Sequence, residues 1–253
     1  MMKKHYISST VVTNENIDKG VYAITLHAPE IAATAKAGQF VMVYLDKAEM
    51  LLPRPISLCD VDRNSGIITL IYMVVGKGTE VMSRWQAGQA VKLTGPLGNG
   101  FSFDGMKNVA LAGGGVGVPP MLFLLKELTR SGINADVFIG FRQKSAMAQY
   151  FKAHTANLYI ATEDGSDGLK GNVLDALRPV SKQYDALLAC GPIPMLEALA
   201  EYAHSKNLPC QVSMEERMAC GVGACKGCVV KTVVGYQVCC AYGPVYDSRE
   251  VIW

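Results

Sequence analysis

Cys220, Cys225 and Cys228 fall within the nine residues CGVGACKGC, with four residues in the first gap and two in the second, and eleven residues then separate Cys228 from Cys240. Thiolates are soft, anionic metal ligands. Two short gaps followed by a distant fourth cysteine is a spacing that holds a 2Fe-2S cluster. The intervening Gly221, Gly223, Ala224 and Gly227 let a loop turn sharply and aim backbone N–H groups at sulfurs. A structural zinc site is the alternative, but such sites pair two short Cys-x-x-Cys knuckles, and one such pair is present here. Cys239 competes with Cys240 for the fourth place. Consecutive residues of an extended segment point to opposite sides, so only one of the two should face the metal.

Three further stretches have the residue types of nucleotide sites. LAGGGVGVPPM (Leu111 to Met121) reads as a strand-to-helix turn in which Gly113, Gly114, Gly115 and Gly117 let the backbone approach a pyrophosphate. A helix starting at Pro119 or Pro120 would turn its dipole to that charge. A glycine-rich turn alone is weak evidence, and the acid that a dinucleotide fingerprint wants after the second strand is replaced by GFRQKS. LLPRPISL (Leu51 to Leu58) fixes an arginine between prolines, which suits a phosphate clamp or a plain turn. VVGKGTEVMSRW follows at Val74 to Trp85, with Thr79 placed to cap a short helix. CGPIPML starts at Cys190, where a cysteine is either part of a crevice at the end of a parallel strand or a small buried residue.

The elements that must position these motifs change character along the chain. Up to about Phe101, short β-type runs (VYAITLHA, QFVMVYL, GIITLIYMVV, AVKLTGPLG) alternate with Gly, Pro, Asn and Asp, which predicts a small antiparallel barrel. Beyond Asp104, buried strands alternate with helices such as PPMLFLLKELTRSG, which predicts right-handed crossovers and a parallel sheet. From about Gln211 the pattern dissolves into the cysteine-rich end. The expected divisions are 1–102, 103–210 and 211–253. Half of the 253 residues are apolar, 18% are charged and the net charge is +2, a globular composition without a nucleic-acid footprint. No window approaches a membrane span, and two early lysines lack the apolar run of a signal peptide behind them, so the expected location is the cytoplasm.

Arg-Pro-x-Ser in a barrel, then Gly115-x-Gly117-x-x-Pro120, Cys-Gly-Pro and a ferredoxin-type cysteine set: this order resembles the ferredoxin-NADP reductase superfamily. Within it, the appended cysteines and the ending CCAYGPVY are similar to the electron-transfer subunits of dihydroorotate dehydrogenase B. The resemblance spans nearly the whole chain. It implies an α/β plus all-β architecture: an N-terminal six-stranded antiparallel β-barrel for FAD, a parallel α/β domain for NAD, and a C-terminal 2Fe-2S segment.

Residue by residue, the resemblance implies that Arg54, Pro55, Ile56 and Ser57 contact FAD, with Arg54 on its phosphates and Ser57 near the ring. Ile71, Tyr72 and Met73 match a second FAD strand, and Gly78 with Thr79 a pyrophosphate turn. Gly113, Gly114, Gly115, Gly117, Cys190, Gly191 and Pro192 fall to the nucleotide half. Cys220, Cys225, Cys228 and Cys240 are the implied cluster ligands, Cys240 standing three residues before Gly243-Pro244. Ile56 replaces the stacked tyrosine of plant-type reductases. Glu163 and Asp164 replace the arginine that NADP users place after the third strand, which favours NAD, although Arg142 and Lys144 lie near in sequence.

The implied role is an electron conduit that needs no catalytic acid or base of its own. The implied partner is an FMN-containing dihydroorotate dehydrogenase catalytic subunit, two copies of each, with neither nucleic acid nor membrane involved. Related subunits of sulfide dehydrogenases, sulfite reductases and bifurcating ferredoxin-NADP oxidoreductases share these motifs. A zinc-stabilised regulatory module is the reading from a different class.

Overall fold

Alternation of inward and outward side chains curls the first hundred residues into a closed barrel. In the computed structural model, which describes residues 4–45, 50–155 and 157–253, the elements are β1 (His5–Asp18), β2 (Val21–His27), α1 (Pro29–Ala32), β3 (Phe40–Val43), β4 (Arg54–Asp62), β5 (Ile67–Met73), α2 (Lys77–Met82) and β6 (Ala90–Leu97). The strands close in the order β1-β2-β5-β4-β3-β6, each pair antiparallel. This is the antiparallel barrel that the strand pattern predicts, with the six strands that the family resemblance implies.

In β5 the period of two is plain: Ile68, Leu70 and Tyr72 point inward, while Ile67, Thr69, Ile71 and Met73 are more exposed. Tyr72 fills the barrel end by stacking on Tyr22 across the ladder, ring centroids 5.8 Å apart. Its hydroxyl donates to Asn14 Oδ1 at 3.1 Å, and the Asn14 amide donates to the carbonyls of Met82 and Trp85. Burial pushes the Tyr72 phenol up despite that hydrogen bond, so the group is a neutral donor.

The second architecture is set by continuous apolar runs, which suit strands buried on both faces. It comprises β7 (Asn108–Gly114), a 3-10 turn (Gly115–Gly117), α3 (Val118–Arg130), β8 (Asn134–Phe141), α4 (Ala148–Lys152), β9 (Leu158–Thr162), β10 (Leu169–Lys170), α5 (Val173–Leu177), β11 (Ala186–Cys190), α6 (Ile193–Ser205) and β12 (Cys210–Ser213). From β10 through β9, β8, β7 and β11 to β12 every neighbouring pair is parallel. The helix predicted from Pro119 or Pro120 begins at Val118, since proline fits the first turn, where the N–H is unpaired in any case.

The cysteine-rich end carries more structure than its sequence suggests. It forms a two-stranded hairpin of β13 (Val229–Thr232) and β14 (Gly235–Val238), the short helix α7 (Cys239–Tyr242), and β15 (Val245–Asp247). β15 joins the large sheet antiparallel to β12. Elements of three or four residues hold too few periods to register as a pattern.

By contact density the chain forms two units. One contains the residues up to Gly100 together with Glu216–Val229 and Gln237–Pro244; the other contains Phe101–Glu215, Val230–Tyr236 and Val245–Trp253. Among the described residues no helix is long and apolar enough to cross a membrane.

A buried carboxylate interrupts the apolar sheet. Asp136 of β8 is 2% exposed and accepts from Lys182 Nζ at 2.9 Å, Tyr184 Oη at 2.8 Å and Asn157 Nδ2 at 2.8 Å. Burial raises its pKa, but these three donors outweigh it and hold the carboxyl below the usual range. The stabilisation is therefore complete above the unfolded carboxylate pKa near ~4 and is lost as the pH falls through the lower folded value. Asp136→Ala removes the charged acceptor shared by Lys182, Tyr184 and Asn157 and should cost about 2 kcal/mol at pH 7 in urea unfolding, a deficit that shrinks towards zero in acid below the ordinary carboxylate range.

Candidate functional site

The four cysteines of the predicted ligand set, and Cys239, all lie in the barrel unit. Their loop is built by residues that accept left-handed backbone: Gly221 (φ +69°), Gly223 (φ +88°) and, unusually for a side-chain-bearing residue, Lys226 (φ +56°). The chain so folded brings amides to sulfurs. Val222 and Cys225 N–H lie 3.4 Å from Cys220 Sγ, Gly223 N–H 3.1 Å from Cys240 Sγ, and Cys240 N–H 3.4 Å from Cys228 Sγ.

The thiols themselves pair side chain to side chain, Cys220 with Cys225 and Cys228 with Cys240. Burial pushes the Cys220 thiol up, but the amides of Cys225 and Val222 outweigh it and bring it down to about 6. Cys240 goes the other way, pushed up to about 12 by burial and by Cys228 beside it. Cys225 is exposed and Cys220 half-buried, whereas Cys228, Cys239 and Cys240 are buried.

A two-iron cluster asks for two thiolate pairs, one on each iron, with backbone N–H groups directed at the sulfurs. The arrangement fits that demand. Among the described residues, no three Cys, His, Asp or Glu side chains gather around one single-ion position. Cys239 differs from its predicted setting, because it opens α7 instead of lying in an extended segment. Helical neighbours are rotated by about 100° and not by 180°, so alternation does not place Cys239 and Cys240 on opposite sides.

The loop is seated on the barrel through contacts that the sequence does not announce. A Cβ on Gly221 would run into the Met42 side chain, its Sδ at 2.9 Å, and a Cβ on Gly98 would lie 2.7 Å from the Gly243 carbonyl oxygen. Asn99 donates its amide to that carbonyl at 2.7 Å and its side chain to the Tyr242 carbonyl at 2.9 Å. The buried Gln39 holds the same strand end by donating to the Gly98 carbonyl at 2.7 Å. The one sequence signal is the glycine density of GPLGNG.

In the same unit, Arg54, Pro55, Ile56 and Ser57 form the half-buried start of β4, paired with β3. The β4–β5 ladder runs from Asp62↔Ile67 to Leu58↔Leu70. Beyond it, the segments 54–57 and 71–73 carry the predicted FAD residues on neighbouring strands. Ile71 and Met73 face outward, while the Tyr72 side chain turns into the barrel, so only the Tyr72 backbone is available to a ligand outside.

The Arg54 guanidinium lies on Gly78, where any Cβ would collide with it, and it donates to the Leu52 carbonyl at 2.5 Å. Thr79 is the third residue of α2 and not its cap. Its Oγ1 accepts from the amides of Val75 at 3.0 Å and Gly76 at 3.3 Å, which fixes the turn beneath Arg54. A fixed cation over a glycine turn is a seat for phosphate.

In the second unit the glycine turn and the Cys190 turn meet. β7 and β11 are adjacent with Gly113 opposite Cys190. A Cβ on Gly117 would strike the Cys190 carbonyl group, one on Gly114 the Met195 side chain, and one on Gly191 would lie 3.2 Å from the Gly114 amide. Gly113 likewise abuts Val118 Cα at 3.2 Å. Of the four predicted glycines, only Gly115 (φ +53°) has nothing within 4 Å of its would-be Cβ. Burial pushes the Cys190 thiol up to about 12, against a hydrogen bond with Ser213, so Cys190 is a neutral thiol.

At the end of β9, Asp164 Oδ1 accepts from Ser166 N at 2.9 Å and Oγ at 2.6 Å, and Ser166 Oγ accepts from Lys144 N at 2.7 Å. The Ser166 hydroxyl and amide hold the exposed Asp164 carboxyl below the usual range. A fixed negative charge therefore marks this strand end.

Comparison with known proteins decides the family. Residues 215–252 match the family described as the iron-sulfur cluster binding domain of dihydroorotate dehydrogenase B. The chain is 40% identical over 252 residues to the dihydroorotate dehydrogenase B (NAD(+)) electron transfer subunit of Bacillus caldolyticus, covering 96% of this chain and 97% of that one. The Clostridium acetobutylicum subunit is 38% identical with 99% of each covered. The chain belongs to the family of dihydroorotate dehydrogenase B electron-transfer subunits.

Among solved structures, an NADH-dependent reduced ferredoxin-NADP oxidoreductase studied for flavin-based electron bifurcation superposes with a TM-score of 0.89 at 29% identity, covering 97% of this chain and 90% of that one. Phthalate dioxygenase reductase shares the fold, with a TM-score of 0.64 at 16% identity over 90% and 87% of the two chains. For an electron-transfer subunit of this family the glycine geometry makes a distinction that the motif alone does not. Gly113, Gly114 and Gly117 are small because the protein packs on them, and Gly115 is the one open to a ligand. Gly117→Ala should therefore destabilise the fold by 2 kcal/mol or more, while Gly115→Ala should cost about 1 kcal/mol, both read from urea unfolding.

Proposed function

We propose that this chain carries electrons between an FMN-containing dihydroorotate dehydrogenase catalytic subunit and NAD+, serving the oxidation of dihydroorotate to orotate in pyrimidine biosynthesis. The observation that carries the reading is the pair of thiol pairs, Cys220 with Cys225 and Cys228 with Cys240, ringed by backbone amides and sharing one unit with the Arg54–Gly78 phosphate seat. The relatives at about 40% identity over the whole chain bear the name of this electron-transfer subunit. The bound groups supply the redox chemistry: FAD exchanges a two-electron hydride with NAD and single electrons with the 2Fe-2S cluster.

The chain's residues bind and tune. Cys220, Cys225, Cys228 and Cys240 ligate the cluster, with the amides of Val222, Gly223, Cys225 and Cys240 moderating the charge on their sulfurs. Arg54 neutralises FAD phosphate over Gly78. Pro55, Ile56, Ser57, Ile71, Met73 and the Tyr72 backbone line the flavin, and Thr79 holds the turn. Gly115 admits the NAD pyrophosphate, beside the turn of Cys190, Gly191 and Pro192. Glu163 and Asp164 leave room for a ribose hydroxyl and repel a 2′-phosphate. The functional division is 1–102 for FAD, 103–210 for NAD and 211–253 for the cluster. The assembly is two catalytic plus two electron-transfer subunits in the cytoplasm.

The test is the reconstituted pair. Dihydroorotate should reduce NAD+ only when this chain and an FMN-containing dihydroorotate dehydrogenase are both present, and failure to form that pair would overturn the assignment. Arg54→Ala should lower flavin retained after gel filtration by tenfold or more, a loss of about 1.4 kcal/mol or greater in binding, with iron content unchanged. Replacing Glu163 and Asp164 together by Ala should raise kcat/KM for NADPH relative to NADH by roughly tenfold.

A further inference from the structure

We propose that Cys239 is a substitute ligand for the second iron, able to hold the cluster when Cys240 cannot. The inference rests on the cluster reading above and extends it to a fifth sulfur.

The Cys240 amide nitrogen lies 3.4 Å from Cys228 Sγ. That nitrogen is bonded to Cys240 Cα and stands only about 2.4 Å from Cys239 Cα. Both α-carbons therefore lie within about 6 Å of the Cys228 sulfur. Two sulfurs on one tetrahedral metal with bonds of about 2.3 Å sit roughly 4 Å apart, which a cysteine side chain from either position can span.

The Cys239 amide is also anchored to Cys228, donating to its carbonyl at 2.6 Å. Cys239 is fully buried, and Cys228 and Cys240 are 1% exposed, so none of these side chains is directed to open solvent. The α7 turn keeps the two neighbours about 100° apart.

Gly223 N–H on Cys240 Sγ at 3.1 Å makes Cys240 the ligand in the unsubstituted chain, since a hydrogen bond to the anionic sulfur favours it. In the exchange the Cys239 thiol gives its proton to solvent and its sulfur bonds the iron position left by Cys240. No electron moves.

The experiment compares the full chain with Cys239→Ala, Cys240→Ala and the double variant, each purified anaerobically. Iron, acid-labile sulfide, the visible spectrum and the reduced-state electron paramagnetic resonance are read beside FAD content. About two irons per chain are expected in both single variants and none in the double variant. Without the Gly223 hydrogen bond, the cluster of Cys240→Ala should show a lower midpoint potential.

An iron-free Cys240→Ala chain that keeps its FAD, beside an unsubstituted chain holding both irons, would overturn this inference alone. An unsubstituted chain with FAD and no cluster would overturn the proposed function and this inference with it. Should Cys240→Ala fail to fold, Cys240→Ser preserves the packing. An all-thiolate spectrum in that variant supports the substitution, and a serine-ligated or empty site overturns it.

Discussion

The Asn99 amide donates to the Gly243 carbonyl, and around that hydrogen bond two glycines, Gly98 and Gly221, let the cysteine segment lie directly on the barrel. The chain leaves the barrel at Gly100, builds six strands of a seven-stranded sheet, returns with residues 216–229 and 237–244, and then adds the seventh strand, β15. Everything proposed for the redox centres depends on that return. Electron transfer weakens steeply with distance, so the thiol pairs and the phosphate seat gain from lying in one unit. A side chain at Gly98 or Gly221 would push the loop off Pro244, Phe40 or Met42, and the spacing of the cysteines would then count for nothing.

The charges are distributed to bind and not to catalyse. Arg54 supplies a cation over a glycine turn, backbone amides face anionic sulfur, and Asp164 keeps a carboxylate at the end of β9. Away from the cluster loop, burial holds the phenols of Tyr72 and Tyr184 and the thiols of Cys190 and Cys210 neutral. A conduit has no use for a residue poised near neutral pH to move protons. Its residues set where the cofactors sit and how much charge their surroundings tolerate.

Much of this was legible in the sequence, for identifiable reasons. Five of the six barrel strands run for seven or more residues, long enough for alternation to show as it does in IITLIYM, and sheet strands include unbroken apolar runs such as ALLAC, so pattern marks both. The cysteine spacing marks the metal loop because ligand geometry restricts it. The hairpin at Val229–Val238, the antiparallel β15 and the helical turn at Cys239 were not legible, because each is too short for a period to show. The Asp136 network was hidden for another reason: one polar residue in a buried strand reveals nothing until Lys182 and Tyr184 arrive from distant sequence. Glycines misled in a third way. GGGVG reads as one ligand loop, yet three of its four glycines serve the packing of the protein on itself.

Anaerobic stopped-flow mixing of the purified chain with NADH, followed at flavin and cluster wavelengths, tests the conduit most directly. The account predicts that flavin absorbance falls first and the iron–sulfur bands bleach afterwards, at a rate independent of NADH concentration. Cluster bleaching that precedes flavin reduction, or a cluster that stays oxidised while the flavin is fully reduced, would contradict it.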